Sequence, residues 1–224
     1  MNLEVTFFGP LRRRAEYETN PDDGSSYAYN HYRVPIAEDC EYRCVYCDCH
    51  EDTVGGREAM ELDHFRPWQK GFGPLKERKF EHLRNEPKNL VHACGACNGF
   101  KWSHWPTEDP CKPYDHEKGW IEPFEECRSD FLEVLRDGTL RSRKAPGEYQ
   151  IRKLRLNRPL LRRLREVRIL KHSLEVLGAT YEQKWKTVAD QFPGTLHAQT
   201  ATQALHLLES IQQLLKAQSC KGNR

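Results

Sequence analysis

The chain has 224 residues, of which 38% are hydrophobic, 10% aromatic and 30% charged, with a formal net charge of +2 and a mean hydropathy of −0.85. That length suits one ordinary domain, or a small domain with a helical extension, and the aromatic content excludes disorder as the dominant state. No run approaches the roughly 18–20 apolar residues that cross a bilayer. The start, Met1-Asn2-Leu3-Glu4, lacks a basic stretch followed by an apolar one, so a cytoplasmic location away from membranes is expected.

The small net charge is a cancellation. Residues 1–140 hold 18 Lys and Arg against 27 Asp and Glu, residues 141–172 hold 12 against 2, and residues 173–224 hold 5 against 4. The segments therefore carry −9, +10 and +1. An acidic body followed by a concentrated basic stretch suggests contact with a polyanion, the plain alternative being a solvated amphipathic helix.

In chain order, residues 1–42 offer a short apolar start (Val5, Phe7, Phe8), a basic triplet at 12–14 and a loop rich in Pro, Asp, Gly, Ser and Tyr. This segment is expected to pack on the core. Residues 43–104 hold the regularly spaced Cys, His, Asp and Asn. Residues 105–146 form a connecting segment, with a short helix expected at 124–135 and a turn at Asp137-Gly138. From 147 to 224 the pattern is helical. Leu160, Leu164, Val167, Leu170, Leu174 and Leu177 recur every three or four residues, with Asn157 as a cap, Pro159 in the first turn and Gly178 at the end. A second helix is expected at 180–191, stopped by Pro193 and Gly194, and a third through Ala201, Leu205, Leu208, Ile211 and Leu215. The fold class is thus α+β, with a small core and a mainly helical C-terminal region.

Nine cysteines fall at 40, 44, 47, 49, 94, 97, 111, 127 and 220. In a reducing compartment, paired cysteines bind metal or act in redox more often than they form disulfides. Cys44-Val45-Tyr46-Cys47 and Cys94-Gly95-Ala96-Cys97 read C-x2-C-x46-C-x2-C. Zn²⁺ takes four ligands in a tetrahedron, and two thiolates two residues apart fit one tight knuckle, so a structural zinc site at Cys44, Cys47, Cys94 and Cys97 is expected. Cys40 or Cys49 could replace one ligand. Cys111, Cys127 and Cys220 read as ordinary reduced thiols. A redox role would need a C-x-x-C opening a helix in a βαβ unit, which the pattern does not supply.

Inside the zinc-closed loop, residues 59–65 alternate apolar and polar and read as a strand ending at Arg66-Pro67, with Glu61 and Asp63 on one face and His64 on the other or at the bend. A loop at 68–88 leads to a second, antiparallel strand at 89–93. The second knuckle then opens a short helix through Asn98, Lys101 and Trp102. Asp63, His64 and Asn98 can converge at its base. Asp and the amide oxygen of Asn suit a hard divalent cation, and an imidazole that titrates near neutrality can take a proton from water, so these types suit phosphodiester hydrolysis.

Taken together, Cys44/Cys47, Glu61-Leu62-Asp63-His64-Phe65-Arg66-Pro67, Asn89-Leu90 and Cys94/Cys97-Asn98 with Lys101 resemble the zinc-bearing branch of the HNH endonuclease family. The resemblance implies a ββα-metal nuclease core with His64 as general base. It further implies Asp63 and Asn98 as ligands of a catalytic Mg²⁺ or Mn²⁺, and Asn89 as the residue bracing loop and base. Lys101 would face phosphate, while Arg66, Arg162 and Arg165 are expected to add nucleic-acid contacts, with Lys70, Lys76, Arg78 and Lys79 in the interstrand loop. His92 stands where relatives carry an apolar residue and reads as a hydrogen-bonded strand residue; His50, His104 and His116 read as surface residues.

Further on, Ile121-Glu122-Pro123-Phe124 and the stretch at 151–159 look like the downstream region of HNH proteins from bacterial anti-phage systems of the Septu and retron-linked types. In those systems an ATPase accompanies the nuclease. The expected function is a metal-dependent endonuclease acting on DNA beside such an ATPase, with no small-molecule substrate. The alternative is a non-catalytic zinc-ribbon adaptor or nucleic-acid-binding module on a degenerate core.

Overall fold

The computed structural model describes residues 5–69, 79–191 and 193–221, with the side chains at 189, 196, 211, 212 and 214–221 outside that description. Lys70, Lys76 and Arg78, and the side chain of Cys220, therefore lie outside the described residues. The fold is α+β. Helix α1 (Arg33–Asp39) and the single turn α2 (Glu51–Val54) precede strands β1 (Met60–His64) and β2 (Leu90–Cys94), and helix α3 (Gly95–Lys101) follows at once. Then come β3 (Tyr114–Asp115) with β4 (Lys118–Gly119), β5 (Leu132–Val134) with β6 (Leu140–Ser142), and helices α4 (Gly147–Lys153), α5 (Pro159–Gln191) and α6 (Leu196–Lys221). Each of the three sheets is a two-stranded antiparallel hairpin. Thr6–Arg165 forms one compact unit, and the helical stretch beyond it belongs to another.

Two-stranded hairpins are marginal alone and need packing on other elements. Here β1 pairs with β2 in the register Glu61↔Ala93, Asp63↔Val91 and His64↔Leu90. Every residue of β2 is buried. The N-terminal segment supplies part of its cover: Phe8, Tyr32 and Ile36 are fully buried in the same core as Leu90 and Val91. Arg13 ties that segment to β2, donating to the Leu90 and Pro87 carbonyls with its guanidinium 3.8 Å from the Phe124 ring centre.

Three expectations are corrected. The helix expected at 124–135 is instead a short 3-10 turn at Arg128–Asp130 followed by β5. Leu132 and Leu140 are both buried, and the Asp137-Gly138 turn closes the hairpin, with Asp137 accepting from the Thr139 N–H and Gly138 at φ 74. Asn157 does not cap α5. Its amide accepts from the Leu140 N–H and donates to the Leu140 carbonyl, tying the start of α5 to β6. Gly178 does not end the helix either; α5 runs 33 residues through it, since an interior glycine costs only about 1 kcal/mol relative to alanine. Along α5, Leu161 is buried, whereas Leu160, Val167, Leu170, Leu174 and Leu177 are exposed.

Candidate functional site

Cys44, Cys47, Cys94 and Cys97 are all buried, and their sulfurs lie within 4.8 Å of one another. A tetrahedron with Zn–S bonds of about 2.3 Å has S–S edges of about 3.8 Å, and the Cys47–Cys94 separation is 4.0 Å, so the four thiols fit a zinc ion. The first knuckle is closed by Cys44 N–H to the Cys49 carbonyl and Asp48 N–H to the Cys44 carbonyl, and Val45 N–H joins it to β2 at His92. Hydrogen bonds from Cys44, Cys47 and Cys97 hold Cys94 far below the ordinary thiol range. Arg158 brings a guanidinium nitrogen to 3.8 Å from Cys97 Sγ, where it would offset the negative charge of a zinc ion held by four thiolates. Cys40 and Cys49 are buried but stand outside this cluster, and burial pushes the Cys40 thiol up to about 12.

The first cysteine knuckle precedes β1 and the second joins β2 to α3, and these three elements build a cleft of about 380 Å³ lined by Glu61, Asp63, His64, Trp68, Asn98 and Trp102, among others. His64 ends β1 half-buried. Its Nε2 lies 2.8 Å from the Arg84 carbonyl, so this nitrogen carries the hydrogen and Nδ1 is left with its lone pair. Tyr29 sits edge-on at 4.9 Å and Trp68 at 6.2 Å between ring centres. Burial among these groups lowers the His64 pKa below the ordinary imidazole value. Asn89 clamps the chain just past the histidine: its Oδ1 accepts from Arg66 N–H, and its Nδ2 donates to the Arg66 and Leu83 carbonyls.

Asp63 is buried and already partnered. Tyr46 Oη donates to its Oδ2 at 2.5 Å, and Lys101 Nζ lies 3.0 Å from its carboxylate oxygens and 2.9 Å from the His64 carbonyl. The open pair is Glu61 and Asn98, joined by Asn98 Nδ2 to Glu61 Oε2 at 2.5 Å, with Glu61 exposed. Gly95 permits that approach: a Cβ there would stand 3.0 Å from Glu61 Oε1. Asp63, His64 and Asn98 thus line one cleft together with Glu61, while the fully buried Lys101 holds Asp63 from beneath it.

The four expected nucleic-acid contacts are engaged elsewhere. Lys101 is fully buried, so its ammonium faces Asp63 rather than phosphate. Arg165 is also buried, on the Gly138 and Leu156 carbonyls. Arg66 donates to the Pro110 carbonyl and stands 3.6 Å from Glu122, and Arg162 pairs with Asp137 at 2.7 Å. Lys79, from the interstrand loop, donates to the Thr107 carbonyl. His92 is a buried strand residue whose Nε2 meets Glu51 at 3.3 Å, in line with its reading from sequence. Glu122, which sequence reasoning missed, is buried, and desolvation pushes its carboxyl up to about 7. Tyr46 was missed as well; it lies between two zinc ligands, where no spacing rule marks it.

The chain is 27% identical over 97 residues to Septu protein PtuB of Bacillus thuringiensis, a match that spans 42% of this chain and 34% of the relative's length. The similarity is distant. No protein-family model matches the chain, and no solved structure does.

Proposed function

We propose that this protein is a metal-dependent HNH-type endonuclease that hydrolyses DNA phosphodiester bonds. The observation that carries the reading is the placement of His64, with Nε2 committed to the Arg84 carbonyl and Nδ1 available beside an open, oxygen-lined cleft. In that role His64 Nδ1 takes a proton from the attacking water, a contribution of about 10²–10⁴ in rate. Asn89 keeps the chain next to the base in place through its three bonds. The donors that would hold a Mg²⁺ or Mn²⁺ ion are the Asn98 amide oxygen with the Glu61 and Asp63 carboxylates, a set of hard oxygens suited to such ions. Lys101 supplies the positive charge beside Asp63. A bound cation would stabilise the charge that develops on the phosphoryl and leaving oxygens. Zinc at the four cysteines would hold the two knuckles, and so β1, β2 and α3, together.

Similarity to a Septu protein supports a place in a bacterial anti-phage system, where, as the resemblance of residues 121–124 and 151–159 implies, the protein would act beside an ATPase partner. One observation favours a second reading: Asp63 is already bonded to both Tyr46 and Lys101, as a non-catalytic zinc module on a degenerate core would allow. Incubation with supercoiled plasmid in Mg²⁺ or Mn²⁺, with and without a co-encoded partner, separates the two. The nuclease reading expects nicking that EDTA abolishes, with 5′-phosphate and 3′-hydroxyl ends. Cleavage that persists in EDTA, or 3′-phosphate ends, would count against it.

A further inference from the structure

Of the four cations expected to hold nucleic acid, Lys101, Arg66 and Arg165 are committed to partners within the protein and Arg162 to a surface pair with Asp137, yet the acidic half of the chain still needs positive charge to hold a polyanion. A second cleft supplies it. Beside the hairpin β5–β6 and helix α4 lies a concavity of about 680 Å³, walled by Lys118, Arg143, Lys144, Tyr149, Arg152 and Lys153. Five cations there face two carboxylates, Glu117 and Glu148. All five are exposed. Among the described residues Lys118, Arg152 and Lys153 form no ion pair, while Arg143 reaches Glu133 only at 3.8 Å and Lys144 reaches Asp130 only at 4.0 Å. Long, weakly paired cations spread over an open wall suit a repeating phosphate chain, which needs charge along its length and no deep polar anchor.

The position of this cleft gives it a direction. Tyr149 stacks on His104 with ring centres 5.9 Å apart, and its hydroxyl hydrogen-bonds to His104 Nε2. His104 directly follows Trp102 and Ser103, which line the cleft of His64 and Asn98. The segment 102–104 therefore borders the catalytic cleft at one end and the basic cleft at the other. We propose that the basic cleft binds the sugar–phosphate backbone of nucleic acid away from the scissile bond and delivers the strand along residues 102–104 to His64. The proposal rests on the nuclease reading for its direction, but the binding itself is measurable without cleavage.

The test uses the full-length protein carrying His64→Ala, which silences cleavage, and a fluorescent 30-base-pair duplex read by anisotropy across a salt series. Arg152→Gln combined with Lys153→Gln removes two exposed charges, and melting temperature checks the fold. Loss of two phosphate contacts should weaken binding roughly 10- to 30-fold near physiological salt, and should flatten the slope of log K against log salt by about 2. Arg12→Gln with Arg57→Gln, exposed cations that line neither cleft, should change neither quantity. Unchanged affinity and slope in the Arg152/Lys153 variant would overturn the proposal, as would equal losses in the control variant or a parent protein that binds no duplex. A variant that loses ATP binding but keeps duplex binding would assign the cleft to a small phosphate ligand, which also overturns it. Reduced duplex binding in a protein that never cleaves would uphold the cleft and remove only the nuclease reading.

Discussion

Lys101→Met takes away a fully buried ammonium and leaves two groups behind it. Asp63, itself buried, would keep the Tyr46 hydroxyl but lose its charged partner 3.0 Å away, and the His64 carbonyl would lose its donor at 2.9 Å. Breaking a buried ion pair from one side costs about 3–5 kcal/mol, and an orphaned buried acceptor adds about 1–3 kcal/mol. Methionine fills most of the space left by the lysine stem, so a net loss of about 4 kcal/mol is expected. For a unit of this size, each kcal/mol lowers the melting temperature by about 2–4 °C, giving a drop of about 8–16 °C. The double variant Lys101→Met/Asp63→Asn removes the uncompensated charge and should recover more than half of that loss. Urea or thermal denaturation of the three proteins reads the effect. A single variant within about 1 kcal/mol of the parent, or a double variant no better than the single, would refute the buried pair. It would return Lys101 to the phosphate-facing position that the motif implies.

Further outcomes follow from the same geometry. Metal analysis should find about one zinc per chain, and Cys44→Ser should lose both zinc and folded structure, since metal binding and folding are linked; zinc retained at full occupancy would bring Cys40 or Cys49 into the ligand set. Glu122 holds its proton up to about 7 in the folded state, whereas an unfolded glutamate releases it near 4.3. The folded state thus binds the extra proton between those values, and stability falls as pH rises through that window, by about 4 kcal/mol in all. Glu122→Gln should accordingly be more stable than the parent at pH 8 and about equal to it near pH 4.5, as denaturation at the two pH values would show. Because burial lowers the His64 pKa, the acid limb of any cleavage rate should have its midpoint below the ordinary imidazole value of about 6.5; a midpoint above 7 would remove His64 as the base.

What could be read from the chain alone was whatever depends on short-range spacing. The C-x-x-C pairs, the alternation over 59–65 and the run from the second knuckle into α3 each involve residues within a few positions of one another. The two knuckles, a strand over 60–64 and helix α3 all appear in the structure, although burial along the strand does not alternate, since Asp63 is buried and Leu62 only half-buried. The partners of Asp63 did not follow, because Tyr46 lies 17 residues before it and Lys101 lies 38 after it. Lys101 carried the motif signal of a basic position, but the pattern says nothing about whether a lysine points outward or closes on a carboxylate beneath the cleft. The arginines fared similarly. Charge density marked residues 141–172 correctly as a basic stretch, yet Arg165 satisfies backbone carbonyls of the β5–β6 turn and the chain before α5, while Arg143, Lys144, Arg152 and Lys153 line an open cleft. The leucine repeat gave the helix its period but not its cover, since Leu170 and Leu174 are exposed. At 124–135, the turn chemistry of Asp137-Gly138 outweighed helical periodicity.

In the proposed reaction His64 activates water for phosphodiester hydrolysis. The most direct measurement compares the parent protein with His64→Ala on supercoiled plasmid in Mg²⁺ or Mn²⁺, alone and with the ATPase partner proposed above, with zinc content and melting temperature matched. The parent is expected to nick the plasmid, and His64→Ala to be slower by about 10²–10⁴. Equal cleavage by the two proteins, or none by the parent under any of these conditions, would contradict that role of His64.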